Sequence, residues 1–255
     1  MIKTDVSVEF SEYVATVRMH RPPANFFDLD TITELADIYE SLDSDPNCRA
    51  IVLCSEGKHF CAGADFSNSA SAIDFGDVRQ LYAQAIRIFE ARTPVVAAVQ
   101  GAAIGGGLGL ALSADFRIAA ASSRFSANFT QLGFHPGFGI TATLPEVVGH
   151  QQALDLVLTG RRIGGEDAYR MGLCDVLVAE SEIESTAVDT ARLIGTSAPL
   201  AVASARETLR YELVGRVHVA IARELEEQAI LRESSDFEEG ITAAVQRRKP
   251  IFVGR

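Results

Sequence analysis

The chain has no tryptophan, and only 7% of its 255 residues are aromatic. Positive charge is short as well. There are 23 lysines and arginines against 34 aspartates and glutamates, a net charge of −11. Such a balance argues against nucleic acid and anionic membrane surfaces as partners. It leaves room for an anionic small molecule in a local basic pocket. The four cysteines, Cys48, Cys54, Cys61 and Cys174, include no C-x-x-C pair, which removes the usual redox and zinc spacings. No secretory leader is apparent, so reduced thiols in a cytoplasmic protein are expected. H-E-x-x-H, metal-spaced Cys/His clusters and G-x-S-x-G are all missing. Gly137 to Ala142 fits G-x-G-x-x-A, but it follows His135-Pro136 and not a strand, so it reads as a chance match. Linkers, internal repeats and low-complexity stretches are absent too.

What is present is a large apolar fraction, 47%, enough for one sizeable domain with or without a helical appendage. The longest charge-free run, Pro94 to Ala114, spans 21 residues and has the length of a membrane helix. Five glycines, a leading proline and an Ala-rich composition predict a buried strand, a glycine turn and a helix instead. The turn is Gln100-Gly101-Ala102-Ala103-Ile104-Gly105-Gly106-Gly107. Strand, turn and helix in that order bring unpaired backbone N–H groups to the positive end of a helix, where an oxyanion or phosphate is stabilised. Tight packing of helix on sheet is the other use such glycines have.

Taken in order, Val6–Phe10 and Tyr13–Met19 alternate as a hairpin, and Arg21 to Asn25 breaks structure. Thr31 to Leu42 has a helical period, with Thr31 and Glu34 spaced as a capping box. Arg49–Ser55 reads as a core strand, 66–75 as a loop or short helix, and 76–92 as a helix. Strands follow at Asp115–Ala119 and Arg124–Ser126. From Leu144 the pattern is almost wholly helical, with capping boxes at Ser181/Glu184 and Ser235/Glu238 and a helix starting near Pro199. The alternation predicts an α/β fold.

A second glycine-bearing stretch, His59-Phe60-Cys61-Ala62-Gly63-Ala64-Asp65, follows the strand at residues 50–54. With Gly101 to Gly107, Thr159-Gly160-Arg161-Arg162-Ile163 through Asp175, and Phe237–Ala243 with Arg247–Pro250, it resembles the crotonase superfamily, the enoyl-CoA hydratase/isomerase family. The resemblance implies a ββα spiral core over residues 1–195. It also implies a C-terminal helical region over 196–255 that builds homotrimers, or dimers of trimers. The implied partner is an acyl-CoA thioester, with coenzyme A as part of the substrate and no other cofactor or metal. Its carbonyl oxygen would lie between the backbone N–H groups of Ala64 and Gly106, beside Gly105. Ala62, Ala64 and Asp65 would meet the adenine. Arg21 and Lys58, with Arg247, Arg248 and Lys249, are candidate partners for the phosphates.

The chain departs from the family where hydration chemistry resides. Hydratases carry two glutamates, and the matching positions here are Gly109 and Phe129. The acid found in some isomerases falls on Gly137. None of these can carry a proton. His135 is the candidate replacement base. Asp74 could lie over the pocket, and Asn128, Thr130 and Gln131 could place water. His59 is expected to be exposed, and Cys61 to be a small buried residue and not a nucleophile. Two functions stay open: an enzyme stabilising a thioester enolate with an unconventional base, and a non-catalytic acyl-CoA-binding protein.

Overall fold

A computed structural model describes residues 5–64 and 75–255. Asp65, Asp74 and most of the 66–75 segment lie outside the described residues.

β1 (Val6–Ser11) and β2 (Val14–Met19) form the antiparallel hairpin, turning at Glu12, which holds a left-handed φ of 57°. β2 then pairs in parallel with β3 (Ala50–Ser55), β3 with β4 (Val95–Val99), β4 with β6 (Phe116–Ala120) and β6 with β9 (Val176–Val178). The order β1-β2-β3-β4-β6-β9 makes a six-stranded sheet. β3 and β4 are buried along their whole length, as parallel strands covered on both faces must be. Alternate residues feed two cores. Ile51, Leu53, Ala97 and Val99 face Leu35, Tyr39, Ile88 and Phe89 of α1 (Leu29–Asp43) and α2 (Phe75–Glu90). Val52, Cys54, Val96 and Ala98 face Ile183, Ala187 and Ala191 of α7 (Ile183–Gly195).

A second, three-stranded sheet is built from β5 (Ala102–Ile104), β7 (Arg124–Ser126) and β8 (Ile163–Gly164). The charge-free run from Pro94 is therefore β4, β5 and α3 (Gly106–Ser113). No helix among the described residues is long and apolar enough to cross a membrane. α4 (Ile140–Val148), α5 (His150–Thr159) and α6 (Gly165–Arg170) follow.

α8 (Pro199–Leu231) runs for 33 residues, and its buried stripe is unusually polar: Arg206, Val217, Ile221, Glu224 and Gln228. Arg206 and Arg210 both pair with Asp115, at 2.8 and 2.9 Å, so the helix is clamped to the turn before β6. Further on, the Glu224 carboxylate accepts from the backbone N–H of Gly139 (2.8 Å) and Thr141 (3.0 Å) and from the Thr141 hydroxyl (2.6 Å). It supplies from another helix the cap that Gly139, at the start of α4, cannot. Burial holds this carboxyl above its ordinary range despite those bonds. α9 (Ser235–Val245) packs beside residues 128–132.

Several expectations need correction. α1 is capped not by Thr31 but by Asp28, whose carboxylate accepts from Thr31 N–H at 2.9 Å, so the helix begins two residues earlier. α9 is capped by Ser234, one residue before the predicted Ser235, and α7 has no side-chain cap at all. β8 and β9 interrupt what reads as an all-helical second half. They are only two and three residues long, too short for a periodicity to register.

Candidate active site

Residues 60–64 run between the two sheets and are pinned along their backbone. Phe60 N–H donates to Gln100 O (2.8 Å), Cys61 N–H to Ala102 O (2.9 Å), and Ile104 N–H returns a bond to Cys61 O (3.0 Å). On the other side Ala62 N–H donates to Ala24 O (3.0 Å) and Phe27 N–H to Gly63 O (3.0 Å). Buried Asn25 secures the approach, donating from its amide to the carbonyls of Glu56 (2.8 Å) and His59 (2.6 Å). Gly63 then turns the chain with φ +86°, and its N–H is taken up by the Cys61 sulfur at 3.4 Å. That turn is forced on glycine: a Cβ there would lie 3.0 Å from Ile104 O and 3.2 Å from Gly106 N. It also shows how closely the two glycine stretches approach each other.

The consequence is two bare donors. Neither Ala64 N–H nor Gly106 N–H has an acceptor among the described residues. Gly106 is the first residue of α3, whose start carries no side-chain cap, so its N–H also stands at the positive end of the helix. Ala62, Ala64, Gly105 and Gly106 line one cavity of about 920 Å³.

From these donors the wall becomes aromatic. The Phe27 ring lies against Gly106, where a Cβ would come within 2.5 Å of it. Phe138 follows at 5.3 Å from Phe27 between ring centroids, and Tyr82 at 6.4 Å from Phe138. Phe134 and Phe237 stack at 4.7 Å on another side. Phe129 and Asn128 complete the wall near Gly105. Gln228 of α8 sits beside Tyr82, its amide nitrogen 3.0 Å from the phenol oxygen. Arg232 and Arg247 also line the cavity.

The structure thus brings together Ala62, Ala64, Gly105, Gly106, Phe129, Asn128 and Arg247 among the expected residues. Others it places elsewhere. Gly109 is buried inside α3 and is not part of the cavity wall; a Cβ there would meet Phe138 Cβ at 2.7 Å. Gly137 is just as closed, with the Tyr82 hydroxyl standing where its Cβ would go. His135 is not in the cavity wall either. Its Nδ1 lies 2.8 Å from the carbonyl of Pro136. Arg21 is spent on Asp28 (2.5 Å) and Thr31 (2.6 Å) at the head of α1. Lys58 is exposed and outside the cavity. Arg248 pairs with Glu239 at 2.6 Å. Thr130 and Gln131 donate to the carbonyls of Val157 and Thr159 and so fasten the 128–132 turn to α5. Cys61 is fully buried, and burial pushes its thiol up to about 12.

Phe27, Tyr82, Phe138 and Gln228 escape a reading of the sequence. Phe27 stands in a break, Tyr82 looks like any apolar residue of α2, and Phe138 sits in a glycine-rich turn at φ +60°. Gln228 carries one signal: it follows Glu224 by one helical turn. One chemistry-bearing cluster lies apart. Ser7 Oγ is 2.7 Å from His20 Nε2, and His20 Nδ1 is 2.9 Å from Glu56, the order found in hydrolases. Glu56 is solvent-exposed and none of the three lines the cavity, so the chain of bonds reads as an edge-of-sheet fastening.

Two sheets, and a cavity lined by two backbone donors without acceptors among the described residues, define an α/β protein with a site for a small-molecule acceptor group. The chain belongs to the enoyl-CoA hydratase/isomerase family, whose model matches residues 9–255. It is 32% identical over 254 residues to a probable enoyl-CoA hydratase of Bacillus subtilis, covering 98% of each chain. It is 33% identical over 252 residues to a short-chain-enoyl-CoA hydratase of Clostridium acetobutylicum, covering 96% of each. Among solved structures, an enoyl-CoA hydratase/isomerase from Pseudoalteromonas atlantica superposes with a TM-score of 0.88 at 29% identity, over 98% of this chain and all of that one.

Proposed function

We propose that the protein processes an acyl-CoA thioester by stabilising an enolate or related oxyanion, without the two-glutamate hydration machinery. The observation that carries this reading is the pair of N–H groups at Ala64 and Gly106 on the cavity wall that have no acceptor among the described residues. Preorganised donors aimed at a developing oxyanion need no reorganisation as charge appears, and one such donor is worth about 3 kcal/mol of barrier. Relatives named as hydratases favour a lyase or isomerase reaction. Against plain hydration stand Gly109, Phe129 and Gly137, at the three positions where the family resemblance puts acids. Two of them are closed by neighbouring side chains. The same closure favours a second reading, a binding protein that holds the thioester without turning it over.

The assembly proposed with it is a homotrimer or dimer of trimers in the cytoplasm. Its support is the apolar side chains that α8 leaves in solvent, such as Leu200, Leu209 and Val219.

A mass-spectrometric turnover screen over enoyl-, β-keto- and 3-hydroxyacyl-CoAs separates the readings. Conversion of one thioester, kept in a Phe27→Leu/Gly106→Ala variant and lost in Phe27→Leu/Gly106→Pro, supports an enzyme. Binding without conversion supports the second reading. If no thioester either binds or reacts, both are wrong. His135→Ala belongs in the same screen: the local bond to Pro136 predicts an unchanged rate, and a collapse would reinstate His135 as the base.

A further inference from the structure

The far end of the cavity holds two hydrogen-bonding groups that the protein itself leaves unused. Gln228 is fully buried, and its Oε1 accepts no bond among the described residues. The orientation of that amide is fixed by chemistry. Its nitrogen faces the carbonyl oxygens of His135 (3.0 Å) and Pro136 (3.3 Å), and a flipped amide would set oxygen against oxygen. Tyr82 is its complement. The phenol oxygen accepts from Gln228 Nε2 at 3.0 Å. Its O–H proton has no acceptor among the described residues.

One acceptor and one donor, side by side on an aromatic wall, call for a ligand group that both donates and accepts, the smallest being a hydroxyl. A carboxylate would find one donor and a repelling carbonyl. A ketone would satisfy Tyr82 and leave Gln228 unpaired. An alcohol donates to Gln228 Oε1 and accepts from Tyr82 O–H at once. A wholly apolar chain would leave both polar atoms buried and unpaired, which proteins avoid. We infer that Gln228 and Tyr82 form a hydroxyl-recognition subsite, and that the acyl chain of the preferred thioester carries an alcohol at the end remote from the sulfur. This rests on the thioester reading above. That reading places the carbonyl at Ala64 and Gly106, with Phe27 and Phe138 between it and the subsite.

The test is calorimetric binding to the full chain. The ligands are butanoyl-, hexanoyl- and octanoyl-CoA, each beside its terminally hydroxylated counterpart. At the length that reaches the subsite, the hydroxylated ligand is expected to bind about tenfold tighter than the plain one. Tyr82→Phe keeps the ring and removes the donor; Gln228→Met removes the acceptor. Each is expected to bring that ratio close to one. A native ratio near one at every length overturns the inference, as it would if an ordered water already served both groups. So does a preference that survives in both variants. If Gln228→Met does not fold, the native ratio and Tyr82→Phe still decide. Failure of every thioester to bind is a different result: it removes the thioester reading, and this inference with it.

Discussion

The two ends of the cavity are made of different material. At the Ala64/Gly106 end the functional groups belong to the backbone, and backbone bonds to Gln100, Ala102, Ala24 and Phe27 hold them. At the Tyr82/Gln228 end they belong to side chains from α2 and α8, held by side-chain bonds. Backbone donors cannot be altered without altering the turn, so this end tolerates little change of chemistry. Side chains can be exchanged one at a time, so the far end can be retuned to another acyl group.

The contrast can be broken most severely at Phe138, whose ring links the two ends. Phe138→Ala is expected to cost about 3–5 kcal/mol in chemical denaturation, because a fully buried ring leaves a cavity. A bound thioester should keep its low carbonyl stretching frequency in that variant. A shift to the frequency of the free ligand would mean that the ends are not independent. Next comes Gly106→Pro, which removes one donor. Because any Cβ at Gly106 strikes Phe27, the comparison is made with Gly106→Ala, both in a Phe27→Leu background. Whatever turnover the screen identifies should fall about a hundredfold further in the proline variant, roughly 3 kcal/mol. Equal rates would remove Gly106 from the reaction.

A gentler probe is Glu224, which belongs to the side-chain end. Its carboxyl titrates above the ordinary value of 4.5, so the folded protein holds that proton at pH values where the unfolded chain has lost it. The associated stability is complete below that ordinary value and is lost as pH rises through the raised one. Urea unfolding from about pH 5 to pH 8 should show this as a slope of at most about 1.4 kcal/mol per pH unit, present in the native protein and absent in Glu224→Gln. Parallel curves would disprove it. The smallest effect is expected at Cys61. Cys61→Ala leaves Gly63 N–H unpaired at about 1 kcal/mol, and the native thiol should resist iodoacetamide until the chain unfolds, since burial holds its pKa at about 12.

The backbone end was also the end legible in the sequence. Glycines between an apolar strand and a short helix announce a turn wherever they occur, and the 60–64 stretch carries its own glycine. The far end was illegible because its members are distant in sequence, and each has an innocuous local role. Tyr82 completes a helix period, and Gln228 is one polar residue among many on a helix. Only the crossing of α8 over α2 and α4 brings them together. His135, attractive in sequence as an imidazole in the turn expected to border the pocket, lies outside the cavity wall with its Nδ1 on the Pro136 carbonyl. Arg21 is held in the same way by Asp28. In both cases the structure adds a short local bond that composition cannot reveal.

α8 is fastened near one end by Arg206 and Arg210 on Asp115 and near the other by Glu224 and Gln228. It thus spans from a purely structural clamp to the wall of the cavity. Anything seated against Gln228 tightens the second fastening and leaves the first untouched. Occupancy should therefore be written as a gradient of amide protection along this helix, steep toward Leu231 and flat toward Pro199. Hydrogen exchange on one helix would then serve as a built-in gauge of what the cavity holds.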